Sequence, residues 1–300
     1  PKLLVSDYDM LWSKDSYNDA TSELIFCRRA TTTTNSFEGY NFPIGLENCK
    51  GGNCPTQTLV DAYEMQATGL RPDEMEDYDP TKPYYEGRDK RFGLTIAKNG
   101  DEKWPNWNTV PLQTYQGGLN AEPLSGGTPT GYYLKKYCQT AVDLRAGTAS
   151  KTYHSWITFR FGEFYLNYAE AVYKYLGSPD KTDSEFTTSA VDAIKIVRTR
   201  AEMPGFPTNM TNDAFWKKYQ NERMVELAFE GHRFWDVRRW KEADKHFKNI
   251  VEMKITKNGD GTYTYERKTK NRIWDDKMYF FPIPQSERSK NPNLEQNPGW

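Results

Sequence analysis

Three hundred residues are enough to bury a sizeable core, as one large domain or two ordinary ones. With 40 Lys and Arg against 41 Asp and Glu the formal net charge is −1, which removes the electrostatic case for a nucleic-acid partner. No apolar run approaches the roughly 20 residues of a membrane span. The three His and four Cys lack zinc-ligand spacing, so neither a metal nor a cofactor is expected.

Residues 1–50 read as short strands and loops, with Glu23-Leu-Ile-Phe-Cys-Arg the best strand candidate. Cys49 and Cys54 enclose Lys-Gly-Gly-Asn, a loop that a disulfide could close in an exported protein. Thr56 to Gln66 form a short helix closing near Gly69, and the acidic, proline-rich run from Arg71 to Pro83 is a loop. Residues 84–135 are irregular: Tyr84-Tyr85, a strand-like Phe92–Ala97, Trp104-Pro-Asn-Trp107, then glycine pairs that lack phosphate-cradling spacing.

Helices follow. Phe164, Tyr168, Ala171, Val172 and Tyr175 form one stripe, ended by Gly177 and Pro179. A second helix, capped near Ser184, places Ala190, Ile194, Val197 and Ala201 on one face before Pro204-Gly205, and the two make a hairpin. A third starts near Asn212, breaks at Gly231 and resumes through Trp240. Lys254 to Tyr265 alternate around Asn258-Gly259, a β-hairpin signal. The tail, with Pro282, Pro284, Pro292 and Pro298, is expected to be extended and docked.

The third helix is the most demanding stretch. Phe215, Tyr219, Glu222, Glu226, Phe229 and Glu230 share a stripe while Trp216, Met224, Val225, Leu227 and Ala228 fill the other directions, the pattern of an interior helix. Buried carboxylates at Glu222, Glu226 and Glu230 must be paired, and Arg233, Arg238 and Arg239 follow directly, with Arg198 and Arg200 on the preceding helix. This is read as a structural ion network. Glycoside cleavage needs two carboxyls facing each other across a cleft, one with a raised pKa; neighbours on one helix among arginines provide neither. No other catalytic motif is present, and no enzyme activity is expected.

The string Glu222-Arg-x-x-Glu226-x-x-x-Glu230-Gly-His-Arg-x-x-Asp236-x-Arg-Arg-Trp240 resembles the signature of the SusD/RagB family. Four further stretches resemble it in the same order: Cys54 to Glu64, Arg88-Asp-Lys-Arg-Phe92, Phe159 to Ala171, and Phe281-Pro-Ile-Pro with Asn291 to Trp300. The family commonly has Pro where this chain has Lys90. The resemblance implies a mainly α, SusD-like fold with tetratricopeptide-like helical hairpins and loop-rich, short-strand excursions, although no strict 34-residue repeat is found. It divides the chain into a loop-rich region, 1–150, carrying the ligand-binding loops, and a helical region, 151–300.

The resemblance also implies a cell-surface lipoprotein of the Bacteroidetes outer membrane that captures oligosaccharide for a SusC-like TonB-dependent transporter, held by an N-terminal lipid anchor outside this fragment. Capture of peptide, as in RagB-like members, is the alternative, and a glycoside hydrolase is the remote one. Aromatic residues make up 15% of the chain, and those on loops can stack on sugar rings. The candidates are Trp104 and Trp107, with Tyr84, Tyr85 and Trp12 behind them, and Asn106 and Asn108 as hydroxyl partners. A Trp-x-x-Trp beside a proline is equally what a packed loop looks like.

Overall fold

The computed structural model describes residues 3–83 and 86–300; Tyr84 and Tyr85 lie outside the described residues. The chain is mainly helical, 32% helix against 14% strand. In order, the elements are α1 (Ser16–Asp19), β1 (Leu24–Arg29), α2 (Ser36–Asn41), α3 (Gln57–Ala62), α4 (Lys90–Thr95), β2 (Ile96–Ala97), β3 (Tyr133–Leu134), β4 (Ser155–Arg160), α5 (Phe161–Leu176), α6 (Ala190–Arg200), α7 (Asn212–Glu226), α8 (His232–Arg239), α9 (Ala243–Phe247), β5 (Asn249–Lys257), β6 (Tyr263–Asn271) and α10 (Gln285–Lys290). The strands form three antiparallel pairs, β1 with β4, β2 with β3 and β5 with β6.

Helix α7 stands between two cores. On one side Phe215 and Tyr219 pack with Leu166, Ala169 and Tyr173 of α5 and Ala190, Ile194 and Val197 of α6. On the other, Val225 joins Val60, Tyr63, Phe92, Ile96, Met253 and Ile255. Two-sided packing is why this helix needed apolar residues in every direction.

Several boundaries differ from the sequence reading, each for a local reason. The strand-like Phe92–Ala97 is mostly helix: Asp89 caps α4 by accepting from the Arg91 backbone N–H, and only Ile96 and Ala97 pair, with Leu134 and Tyr133. On α5 the buried residues include Leu166, Ala169, Val172 and Tyr173, while Phe164 and Tyr175 of the expected stripe are exposed. Small residues decide this, because Ala169 admits the equally small Ala190 and Ala193 at close range. Ser189, not Ser184, caps α6, its hydroxyl accepting from Asp192 N. Helix α7 ends at Glu226, before the expected break, and Phe229 and Gly231 turn the chain with φ of 61° and 85°.

The hairpin runs further than expected. Lys257 pairs with Tyr263, leaving the loop Asn258–Thr262, and the residue with positive φ is Gly261 rather than Gly259. In the tail, Pro284 occupies the N-cap of α10, where its missing N–H is no handicap, so helix does form there. None of the residues of α10 is buried, and the tail folds largely on itself, Trp300 Nε1 donating to the carbonyls of Lys277 (3.0 Å) and Phe280 (3.1 Å). Cys49 and Cys54 are free thiols bonded to the carbonyls of Glu47 and Gly51, so no disulfide closes that loop. Burial pushes the Cys49 thiol up to about 12.

Candidate functional site

Glu222 and Glu226 are 2% and 0% exposed, and each meets arginine on more than one side. Arg91 Nη1 donates to Glu222 Oε1 (2.7 Å) and Glu226 Oε2 (2.8 Å) while its other nitrogens hold Asp89. Arg198 bridges Glu222 (2.6 Å) and Glu64 (2.7 Å). Arg160, leaving β4 for α5, spans Glu23 (2.8 Å), Glu226 (2.6 Å) and Glu230 (2.8 Å). Arg200 binds Glu23 and Glu226, Lys136 binds Glu230 (2.9 Å), and Lys218 binds Glu64 (3.1 Å). Six carboxylates (Glu23, Glu64, Asp89, Glu222, Glu226, Glu230) thus face six cations (Arg91, Lys136, Arg160, Arg198, Arg200, Lys218).

The partners are not those expected from sequence proximity. Arg233 and Arg238 make no salt bridge among the described residues, and Arg239 binds Glu170 and Asp236 instead. Helix α8 starts after a reversal at Phe229–Gly231, which carries its arginines away from the carboxylates of α7. Arg91 binds its near neighbour Asp89 and is also a central member of the network.

Burial alone would raise the carboxyls of Glu222, Glu226 and Glu230, but the neighbouring cations outweigh it. Arg200, Arg160 and Arg91 hold Glu226 well below the usual range; Arg91 and Arg198 lower Glu222, and Arg160 and Lys136 lower Glu230. All three are therefore ionised, unsuited to donate a proton as a general acid. Because the folded values lie below the unfolded ones, the stability they contribute is complete above the unfolded glutamate value and is lost as pH falls through the folded values. The thermal midpoint is expected to be flat with respect to these groups above about pH 5 and to fall below it, as scanning calorimetry across pH would show.

Gly162 is part of the same construction. A Cβ there would lie 2.2 Å from Arg160 Nη1 and 3.0 Å from Glu226 Oε1, and Arg160, 1% exposed, has nowhere to move. Gly162→Ala gains about 1 kcal/mol of helix propensity but overpacks the network by about 1–3 kcal/mol. Net destabilisation in urea unfolding is the expected result.

Lys136 joins this network to a cavity. Its ammonium, pushed down to about 8 by burial against the pull of Glu230, donates to Tyr8 Oη (2.6 Å), Ala228 O (2.7 Å) and Glu230. It also lies 4.2 Å from the centre of the Trp12 ring. The cavity beside it, about 370 Å³, brings together Trp12 and Trp104 with Tyr137, Lys135, Gln139 and Thr140. Trp12 packs edge-on to Tyr137 at 4.5 Å, and Trp104, preceding a cis bond to Pro105, packs edge-on to Phe42 at 5.4 Å. The indole Nε1 of both Trp12 and Trp104 is buried without a hydrogen-bond partner. Both indoles belong to residues that line the cavity.

The other candidates lie differently. Trp107 is half-buried, its Nε1 donating to Val142 O (2.8 Å) and Arg145 lying 5.3 Å from its ring centre, and it does not line this cavity. Asn108 is used by its own loop, bonding Trp104 O and Val110 N, while Asn106 is exposed with its backbone on Thr140 O. Lys135, Tyr137 and Gln139 were missed; the only local signal is the left-handed backbone at Tyr137, φ 69°, which composition does not announce. Among the described residues no group of His, Cys, Asp and Glu is placed to hold a metal ion. No helix among them is long and apolar enough to cross a membrane.

The chain is thus a mainly helical scaffold centred on a neutralised ionic hub, with a small aromatic-walled cavity beside it. The family model for the SusD family matches residues 22–300, and the chain belongs to that family. It is similar over its whole length to a SusD-like protein from Bacteroides fragilis, with 25% identity, TM-score 0.78 and 58% of that chain covered. A SusD-like carbohydrate-binding protein from the same species is 22% identical at TM-score 0.71, covering 98% of this chain and 58% of that one. Surface glycan-binding protein A from Bacteroides uniformis is 18% identical at TM-score 0.54, over 99% of this chain and 53% of that one. The chain therefore spans a little over half the length of these structures. No curated protein matches it in sequence. SusD-like proteins are in general binding proteins rather than enzymes.

Proposed function

We propose that this chain belongs to a lipid-anchored protein of the outer-membrane surface that captures oligosaccharide and passes it to a SusC-like TonB-dependent transporter, and that the Trp12–Trp104 cavity contacts the sugar. The observation that carries the reading is one cavity lined by Trp12, Trp104 and Tyr137 together with the polar residues Lys135, Gln139 and Thr140. Polar side chains of this kind hydrogen-bond sugar hydroxyls, and the surrounding rings offer apolar contact to ring carbons. The hub supports the site indirectly, since Lys136 is fixed by three hydrogen bonds and packs on Trp12. Binding without cleavage is the expected chemistry, because the buried acids are ionised and paired.

Affinity electrophoresis against a panel of neutral and acidic glycans, run beside titration with a peptide library, tests this. Retardation by at least one glycan without release of reducing ends is expected. Saturable peptide binding with no glycan retarded would replace the reading with peptide capture, and release of reducing ends from a retarded glycan would overturn the binding-only role.

A further inference from the structure

Arg233 is half-buried and differs from the buried arginines of the interior. Arg91, Arg160, Arg198, Arg200 and Arg223 each bind carboxylate oxygens, whereas Arg233 has no carboxylate within 4 Å among the described residues. Its Nη2 contacts Nδ1 of His246 at 3.1 Å and its Nη1 is buried with no partner. His246 brings no compensating charge: burial and the neighbouring guanidinium push it down to about 4, leaving the imidazole neutral near pH 7. Asp236 is held by Arg223 and Arg239, and Glu242 lies beside Trp216 and His246. Glu64 and Glu74, which border the cavity on one side of Arg233, are taken by Arg198 with Lys218 and by Arg71.

Arg233 also lines an adjoining cavity of about 390 Å³, together with Arg272 and His246. The remaining walls are largely apolar, Leu59, Met224 and Phe247 among them, and no Asp or Glu contributes to the lining. Asp236 and Glu242 pull on Arg233 electrostatically without forming a salt bridge to it, and a cavity with two arginines, a neutral imidazole and no acid in its lining supplies the complement of an anion. The apolar walls favour an anion with a carbon body over a bare inorganic one, and the planar guanidinium favours a carboxylate.

We infer that the cavity between α7, α8, α9 and the start of β5 is a binding site for a small organic carboxylate, its charge held by Arg233 and Arg272 and its ring or chain packed on Leu59, Met224 and Phe247. This site is distinct from the Trp12–Trp104 cavity and does not depend on what that cavity binds.

Benzoate is the probe, with benzyl alcohol as its uncharged counterpart, titrated into the whole chain at constant ionic strength and followed by calorimetry and by the His246 imidazole resonances. Saturable one-to-one benzoate binding is expected, with benzyl alcohol about tenfold weaker or more. The His246 imidazole should titrate at higher pH with benzoate bound, because a nearby anion favours the imidazolium. Arg233→Gln should abolish the preference for benzoate. Should that variant not fold, Arg272→Gln, at an exposed position, is expected to weaken benzoate severalfold without weakening benzyl alcohol. Equal binding of the two probes, absence of saturation at about 10 mM benzoate, or an unchanged preference in a folded Arg233→Gln protein would each overturn the inference.

Discussion

Arg160→Leu should leave the chain largely unable to fold. The substitution removes one guanidinium from three buried carboxylates, Glu23, Glu226 and Glu230, and from the Glu226 carbonyl. Breaking a buried ion pair by deleting one partner costs about 3–5 kcal/mol, a large share of a total stability of about 5–15 kcal/mol. Here three acceptors lose a partner at once, although Arg200, Arg91 and Lys136 retain part of the compensation. Urea unfolding of any soluble material is expected to show a loss at the upper end of that range. Arg239→Leu is the matched control. Arg239 binds Glu170 and Asp236, but its side chain is 51% exposed, so its loss should cost about 1 kcal/mol or less.

The second large effect is expected in binding rather than in folding. The double variant Trp12→Phe, Trp104→Phe keeps an aromatic ring at each position but narrows the indole faces that wall the cavity. A loss of about 0.5–1.5 kcal/mol of ring contact at each position should lower affinity for a retarded glycan about 5- to 150-fold if the two add. Stability should fall only by the volume lost in each core, about 1–2 kcal/mol in all, because no hydrogen bond of the free protein is broken. Trp107→Phe reverses the pattern: it breaks the bond to Val142 O and costs about 1 kcal/mol of stability, with affinity unchanged. Calorimetric titration of the three proteins with the same oligosaccharide separates them, and loss of affinity in Trp107→Phe alone would move the site to the exposed end of that loop.

Much of the scaffold was legible because periodicity and capping are local. The helical hairpin, the interior character of α7 and the β5–β6 hairpin all follow from spacing within some twenty residues, and the buried state of Glu222, Glu226 and Glu230 follows from the company they keep. Their partners were less accessible. Arg91 and Arg160 stand 131 and 66 residues from the glutamates they bind, and sequence proximity instead favoured Arg233, Arg238 and Arg239. The exposed stripe of α5 shows the same weakness: two apolar faces competed on one helix, and the choice was made by how closely α6 could approach.

The cavity was legible in its residue types and not in its grouping. Trp12 and Trp104 were both candidates, yet only the fold brings them to one wall, and it excludes Trp107, three residues from Trp104, from the same space. Asn108 looked like a hydroxyl partner and is instead the residue that closes its own loop. Spacing along a loop says which side chains are near each other and nothing about which of them are already satisfied.

The ionisation of Glu222, Glu226 and Glu230 is the claim on which the reading of this chain as a binder rather than a hydrolase depends, and carbon-detected NMR of their carboxyl groups across an acid titration measures it. The three resonances should stay in the ionised position as pH drops through the ordinary glutamate value of about 4.3 and change only as the fold is lost. A carboxyl among them that takes up a proton above that value in the folded protein would contradict the account.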